Sequence, residues 1–142
     1  MKILVINGPN INMLGVREPE IYGNLTYEKM CDEINAYGKD IDVDLEFYQS
    51  NIEGEIINKI QEAFSSKVKG IVINPGAYTH YSIAIMDALK SVDIPAVEVH
   101  ISNIHKREEF RHISYPAKAC IGQICGLGVE GYKLAINYLS KI

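Results

Sequence analysis

Arg17 and Tyr22 lie in a long polar stretch, residues 7–23, which directly follows the apolar run Ile3–Ile6. Tyrosine titrates near pH 10 in model peptides, so it is a poor base at neutral pH unless a cation lowers its pKa. A guanidinium about 4 Å from the phenol, at an effective dielectric of about 20, contributes about 4 kcal/mol, or roughly three pKa units. Long loops in compact domains are usually lids or binding loops, so this stretch is a candidate carrier of a general base.

His100 could supply the matching acid. Histidine titrates near pH 6.5 in model peptides and can donate a proton near neutrality without help from a neighbour. Arg107 and Arg111 follow it and could place further positive charge beside Tyr22. This set of side chains indicates acid–base chemistry. Two simpler interpretations stay open: Tyr22 as a surface aromatic, and His100 as a strand-end histidine with satisfied hydrogen bonds.

Alternating apolar runs and amphipathic stretches predict the elements that position these residues. The predicted strands are Ile3–Ile6, Val43–Phe47, Ile71–Ile73, Ala96–Val99 and Ala117–Ile121. Helical spacing groups Ile56, Ile60, Ala63 and Phe64, then Ile83, Met86, Ala88 and Leu89, and finally Leu127, Gly131, Leu134, Ala135 and Tyr138. Ser50–Glu53 has the form of a capping box. Runs of β-branched residues without alternation are typical of a parallel sheet covered on both faces. We therefore expect one doubly wound α/β domain over residues 1–142.

Polar residues follow four of the predicted strands. Asn7–Asn10 follow the first, Gln49–Asn51 the second and Asn74–Ala77 the third, and Glu98–Ser102 span the end of the fourth. In open parallel sheets the ligand lies outside the carboxyl ends of the strands, near the point where the strand order reverses. Polar residues also begin ordinary loops, but four strand ends in succession favour a binding site at this edge.

Composition narrows the classes of function. The chain has 142 residues, a net charge of -4 and 47% apolar residues, and it contains no run of Lys or Arg. These features argue against a nucleic-acid-binding or membrane-binding surface. The apolar stretches are far shorter than the ~20 residues that span a bilayer, and no signal peptide is evident. We expect a cytoplasmic protein whose three cysteines are reduced and buried.

Other motifs in the chain are weaker. Gly126–Gly131 matches G-x-G-x-x-G, but a dinucleotide site needs a further βα unit and an acidic residue about 20 positions on, so we expect these glycines to serve helix–sheet packing. The histidines at 100, 105 and 112 have no ordinary zinc spacing, and no metal site is predicted. Neither a phosphate-binding P-loop nor a serine-hydrolase elbow occurs in the sequence.

Three blocks of sequence carry a specific resemblance. They are Asn7–Asn10 with Leu14–Gly23, then Asn74–His80 with Asp87–Leu89, and finally Glu98–Asn103 with Arg107–Arg111. In order and spacing they resemble the type II 3-dehydroquinate dehydratases, and the similarity runs nearly end to end. The resemblance implies a flavodoxin-like fold with helices on both faces of the sheet, and a homododecamer built from trimers. It also implies dehydration of 3-dehydroquinate to 3-dehydroshikimate without a metal or organic cofactor.

The same resemblance implies roles in the reaction. Tyr22 would remove the proton alpha to the ketone as a phenolate, with Arg17 holding its pKa down. Asn10 would stabilise the resulting enolate through a bound water. His100 would protonate the departing hydroxyl, oriented by Glu98 on the same face of the strand.

The resemblance also implies which residues bind the substrate. The resemblance implies that the backbone N–H groups of Ile101 and Ser102, with Asn74, hold the substrate carboxylate. The remaining implied site residues are Arg111 and His80 at ring hydroxyls, Asp87 from a neighbouring subunit, and Gly76, Ala77 and Arg107 in supporting positions.

Two other classes stay open on the sequence. A flavodoxin-like carrier of flavin mononucleotide would share the fold, but the chain lacks a Ser/Thr-rich phosphate loop after the first strand. A receiver-like regulatory domain would need clustered acidic residues where this chain has Asn7, Asn10 and Asn74.

Overall fold

Five parallel strands form the sheet. The computed structural model describes residues 1–16, 20 and 23–142, so Arg17 and Tyr22 lie outside the described residues. The strands are β1 Lys2–Asn7, β2 Asp44–Gln49, β3 Val68–Asn74, β4 Ala96–His100 and β5 Gly122–Cys125. They pair in the order β2-β1-β3-β4-β5, and every pairing is parallel. This is the flavodoxin-like order, with its reversal between β1 and β3, and it confirms the predicted fold class.

Helices cover both faces of the sheet. They are α1 Tyr27–Asp40, α2 Glu53–Ser65, α3 Ile83–Val92 and α4 Glu130–Leu139. On one face α1 and α4 share a core with Val5 and Val72. On the other face α2 and α3 pack against Ile6 and Ile73. Successive strand side chains point to opposite faces, and fully burying an aliphatic side chain contributes roughly 1.5–3 kcal/mol. Two apolar cores thus hold the carboxyl edge of the sheet in place.

The predicted fifth strand, Ala117–Ile121, is wrong. Residues Pro116–Ala119 form a 3-10 turn, and β5 begins at Gly122. Pro116 has a φ preset for a helical turn, and the Ser114 hydroxyl accepts the backbone N–H of Ala117 at 3.1 Å. The strand that does form lies at the edge of the sheet and is half exposed, so its sequence lacks a buried apolar run.

The predicted capping box at Ser50–Glu53 is also wrong. Helix α2 has Ile52 at its N-cap position and no side-chain cap. The Ser50 hydroxyl accepts the backbone N–H of Ile52 at 2.9 Å and donates to the Glu55 carboxylate. Ser50 therefore closes a turn before the helix rather than capping it.

Five side chains that the helical spacing predicted to be buried are exposed. The exposed side chains are Phe64, Ile83, Leu127, Leu134 and Tyr138. Helix α4 begins at Glu130, so Leu127 precedes it, and the buried stripe of α4 contains Tyr132, Ile136 and Leu139. The stripe that faces the sheet is therefore rotated from the predicted one. It includes Tyr132, which occupies a core position despite its polar hydroxyl.

Two glycines let the loops after β1 and β3 approach each other closely. A Cβ on Gly8 would overlap the carbonyl of Pro75, and the N–H of Gly8 donates to the carbonyl of Asn74 at 2.8 Å. Gly76 has a φ of +61°, and a Cβ there would lie 3.0 Å from the carbonyl oxygen of Pro9. The backbone at the reversal of strand order therefore depends on glycine.

Gly76→Ala is expected to lower the free energy of unfolding by about 1–3 kcal/mol. Alanine is strained in the left-handed conformation at this position, and its Cβ would contact the carbonyl of Pro9. Gly54→Ala in α2 is the matched control, since a Cβ there meets open space. The control should stabilise the protein by about 0.5–1 kcal/mol. Urea unfolding of both variants measures the difference, and equal stability of Gly76→Ala and the unsubstituted protein would contradict the prediction.

Candidate active site

A cavity of about 160 Å³, open to solvent, lies at the carboxyl ends of β1, β3 and β4. Three of the four predicted strand ends line it directly. Its lining residues are Pro9, Asn10, Ile11, Asn74, Gly76, Ala77, His80, His100, Ile101, Ser102, Ile104, Arg107 and Arg111. Ten of the residues predicted for the site therefore meet at one cavity, namely Asn10, Asn74, Gly76, Ala77, His80, His100, Ile101, Ser102, Arg107 and Arg111.

The end of β2 supports the β1 loop from behind. Gln49 Nε2 donates to the carbonyl of Gly8 and to Asn51 Oδ1, each at 3.1 Å. The backbone N–H of Asn10 donates to the same Asn51 oxygen at 3.0 Å. Asn10 has a φ of 68°, a left-handed conformation that asparagine tolerates better than most residues. These bonds fix the backbone that carries Asn10 at the cavity.

A buried carboxylate holds the imidazole at the base of the cavity. Glu98 is fully buried, and His100 is 6% exposed. His100 Nε2 donates to Glu98 Oε2 at 3.0 Å. The Ser114 hydroxyl lies 2.8 and 2.9 Å from the two carboxylate oxygens, and Gln123 Nε2 donates to Oε2. The carboxylate is thereby satisfied on several sides, as a buried charge must be.

The pairing of His100 with Glu98 decides which ring nitrogen can reach a ligand. Nε2 faces the carboxylate, and Thr79 Oγ1 lies 3.4 Å from the same nitrogen. Nδ1 has no hydrogen-bond partner among the described residues, and His100 lines the cavity. Nδ1 is therefore the nitrogen available to a bound molecule, and the carboxylate behind the ring fixes its orientation.

Positive charge surrounds the cavity. Arg107 and Arg111 line it together with His80 and His100, and no Asp or Glu is among its described lining residues. Arg111 is held by Glu108, whose carboxylate accepts from Arg111 Nε at 2.6 Å. That contact lowers the pKa of the Glu108 carboxyl. In a chain with a net charge of -4, this cavity is a local site for an anion.

His80 is fixed in one tautomer. Its Nδ1 donates to the backbone carbonyl of Ile113 at 2.9 Å, so Nε2 carries the lone pair of the neutral ring. Burial lowers the pKa of His80, and the nearby His100 and Arg111 lower it further. A neutral His80 can therefore accept a hydrogen bond from a hydroxyl group.

The glycine-rich segment after β5 holds the backbone at the end of β4. The N–H of Gly126 donates to the carbonyl of His100, and that of Gly128 to the carbonyl of Ile101, both at 3.1 Å. A Cβ on Gly131 would lie 3.2 Å from a methyl group of Val99. The predicted packing of α4 on the sheet is therefore seen at Gly131, whereas Gly126 and Gly128 hold the backbone that follows β4.

Three predicted site residues are not among the described residues that line the cavity. Arg17 and Tyr22 lie outside the described residues. Asp87 is exposed on α3 and is not among the described residues that line the cavity. Gln49, which the sequence placed at the end of a strand on this edge, holds the β1 loop. Sequence reasoning missed three other residues that hold the site, namely Thr79, Ser114 and Gln123, and the last two reach Glu98 from 16 and 25 residues away.

Other candidate sites are weaker in the described part of the chain. Burial raises the pKa of the Cys120 thiol to about 12 and that of Cys125 to about 11, so both are protonated at neutral pH. The three cysteines are free and only partly buried. No group of three or more metal-binding side chains is found among residues 1–16, 20 and 23–142. Within those ranges, none of the helices has the length and hydrophobicity to cross a membrane.

Comparison with known proteins identifies relatives over the whole chain. The family model described as dehydroquinase class II matches residues 1–140. A 3-dehydroquinate dehydratase of Clostridium acetobutylicum is 65% identical over 142 residues, covering 100% of this chain and 98% of that protein. A 3-dehydroquinate dehydratase of Clostridium perfringens is 62% identical, covering 99% of this chain and 97% of that protein. The crystal structure of the type II dehydroquinase of Butyrivibrio crossotus superimposes with a TM-score of 0.97 at 60% identity, covering 99% of this chain and 97% of that one. The chain therefore belongs to the dehydroquinase class II family.

Proposed function

We propose that this protein dehydrates 3-dehydroquinate to 3-dehydroshikimate by an anti elimination through an enolate, within a single catalytic domain spanning residues 1–142. Membership of the family makes it a carbon–oxygen hydro-lyase. The observation that carries the proposal is the buried Glu98–His100 pair, which opens into a cavity with two arginines and no described carboxylate. An anionic substrate and a proton donor with a fixed partner are what this reaction requires.

The first step is removal of a proton. Tyr22 as phenolate takes the proton alpha to the ketone, and the electron pair of that C–H bond moves into the carbonyl to form the enolate. Arg17, five residues before Tyr22 in the sequence, favours the phenolate, and Arg107 adds positive charge from the cavity wall. Asn10 stabilises the enolate oxygen through a water, from a backbone that Asn51 fixes.

The second step is loss of the hydroxyl group. The enolate re-forms the ketone, its electron pair builds the C=C bond, and the C–O bond to the β-hydroxyl breaks. His100 supplies a proton from Nδ1 so that the group leaves as water, while Nε2–H stays on Glu98. The carboxylate keeps the imidazole in this orientation during the transfer.

The cavity also positions the substrate. The backbone N–H groups of Ile101 and Ser102, with the amide of Asn74, bind the carboxylate. Arg111 and the lone pair of His80 Nε2 bind ring hydroxyls, a role that suits the fixed tautomer and lowered pKa of His80. Gly76 and Ala77 let the backbone approach the ring closely, and both line the cavity.

The proposal extends to assembly and location. We propose a homododecamer of trimers in the cytoplasm, in which Asp87 of one subunit reaches the cavity of a neighbour. Asp87 is exposed on α3, away from the lining of its own cavity, which leaves it free to serve another copy of the chain.

An absorbance assay tests the reaction. Purified protein is mixed with 3-dehydroquinate, and the ultraviolet absorbance of the conjugated enone product is followed. A rise that saturates with substrate is expected. Borohydride added with substrate should leave the activity intact, because no lysine lies among the described lining residues to form a Schiff base. Failure to form the enone, or a reduced adduct on a lysine, would contradict the proposal.

A mixing experiment tests the shared site. The variants Asp87→Ala and His100→Ala should each be inactive, and hybrid oligomers made by refolding a mixture should recover part of the activity. The recovered sites are those that combine an intact His100 with an intact Asp87 from the neighbour. Size-exclusion chromatography with a tagged subunit confirms that hybrids form, and hybrids without recovered activity would argue against a shared site.

A further inference from the structure

A buried tyrosine of α4 links two asparagines beneath the cavity. Tyr132 is fully buried, and its hydroxyl donates to Asn7 Oδ1 at 2.6 Å. The same hydroxyl accepts from Asn74 Nδ2 at 2.8 Å. Asn7 and Asn74 are the last residues of β1 and β3 and are paired in the sheet. Asn74 lines the cavity, whereas Tyr132 does not, so the tyrosine can act on a ligand only through its partners.

The hydrogen bonds fix which way the Asn74 amide faces. Its Oδ1 accepts the backbone N–H of Gly76 at 3.1 Å. The proton of Tyr132 is committed to Asn7, so the tyrosine presents a lone pair to Asn74 and requires an N–H there. A carboxamide is planar, and with Oδ1 and one N–H engaged, the second N–H is the polar group left for the cavity. A flipped amide would lose both bonds and would turn its oxygen towards an anion.

We infer that Tyr132 is a positioning residue for substrate binding. It holds the Asn74 amide so that a donor, and not an acceptor, faces the carboxylate of the substrate. The inference rests on the proposed function, in which Asn74 binds that carboxylate. It predicts an effect on substrate affinity rather than on the proton transfers, because the tyrosine lies outside the described lining of the cavity.

Tyr132→Phe in the full-length protein tests the inference, because it removes the hydroxyl and keeps the buried ring. KM should rise about 5- to 20-fold, as expected for losing the anchor of one hydrogen bond, while kcat changes less than threefold. Tyr138→Phe is the matched control on the same helix, with a side chain that is 55% exposed, and its KM should not change.

A double-mutant cycle separates positioning from a general structural role. Asn74→Ala should raise KM by itself, and adding Tyr132→Phe to it should produce no further rise, since the tyrosine then has no amide to hold. If Tyr132 had a structural role that does not involve Asn74, the KM increases of the two single variants would multiply in the double variant. Thermal unfolding of each variant records any loss of stability independently of KM.

The outcomes are distinct from those that test the reaction itself. An unsubstituted protein that forms no enone would overturn the proposed function. An active protein whose Tyr132→Phe variant has unchanged KM, a large loss of kcat, or an effect that multiplies with Asn74→Ala would overturn the positioning role alone. If Tyr132→Phe does not fold, Asn7→Ala removes the acceptor of the tyrosine proton and should give the same rise in KM, and unchanged KM there would contradict the inference.

Discussion

Replacing Tyr22 with phenylalanine is expected to lower kcat by about 10³-fold or more while substrate still binds. The change removes the proposed base and little of the contact area, so the loss should fall on the chemical step. Steady-state kinetics in the enone assay give kcat, and equilibrium binding of substrate to the inactive variant gives affinity.

The described part of the cavity explains why the base is assigned to Tyr22. It contains no carboxylate and no phenol, and its acid–base groups are the imidazoles of His80 and His100. Burial raises the pKa of Tyr27, as does its hydrogen bond with Cys31, and burial raises that of Tyr81. Neither hydroxyl therefore suits a base at neutral pH, and neither lines the cavity.

Tyr81→Phe is the matched control for Tyr22→Phe. Tyr81 is 61% exposed, and its ring packs edge-on against that of Tyr78 at a centroid distance of 5.8 Å. Its kcat should stay within a factor of three of the unsubstituted enzyme. If Tyr22→Phe kept a similar turnover, the base would have to be reassigned.

His100→Asn should lower kcat by about 10²- to 10⁴-fold, the range for removal of a general acid. The fold should survive, because Ser114 and Gln123 still donate to the Glu98 carboxylate when the imidazole is absent. Circular dichroism and thermal unfolding check the fold, and steady-state kinetics measure the loss.

His105→Asn is the control for the histidine variant. His105 is exposed and lies outside the described cavity lining, and its ring is tilted by 45° to that of His112 at a centroid distance of 5.6 Å. Its activity should match that of the unsubstituted enzyme. Near-normal turnover in His100→Asn would show that the proton of the leaving water comes from another donor.

Much of the fold was predictable because buried parallel strands leave a strong pattern. The runs Ile3–Ile6 and Ile71–Ile73 are apolar on both faces, and Ala96–Val99 is interrupted only by Glu98. The structure places all three at the centre of the sheet. The edge strand β5 was missed because exposed residues such as Gln123 carry no such pattern. Phe64 shares the helical spacing of Ile56 and Ile60 and was predicted to be buried with them, yet it is 72% exposed.

The site was predictable to the extent that it sits at strand ends. Asn10, Asn74 and His100 each follow or end a strand, and parallel topology brings such positions together. Ser114 and Gln123 were not predictable, since their contact with Glu98 depends on how a turn and an edge strand fold back. Family membership then identifies a dehydratase family rather than a flavin carrier or a receiver domain.

Hydrogen exchange at the carbon alpha to the ketone tests the division of labour between Tyr22 and His100 most directly. 3-Dehydroquinate is incubated in deuterium oxide with each variant, and deuterium in the recovered substrate is measured by mass spectrometry and NMR. If Tyr22 forms the enolate and His100 acts only on the departing hydroxyl, His100→Asn should exchange one of the two alpha hydrogens without forming product. Tyr22→Phe should exchange neither. Exchange by Tyr22→Phe, together with its loss in His100→Asn, would contradict the account by reversing the two roles.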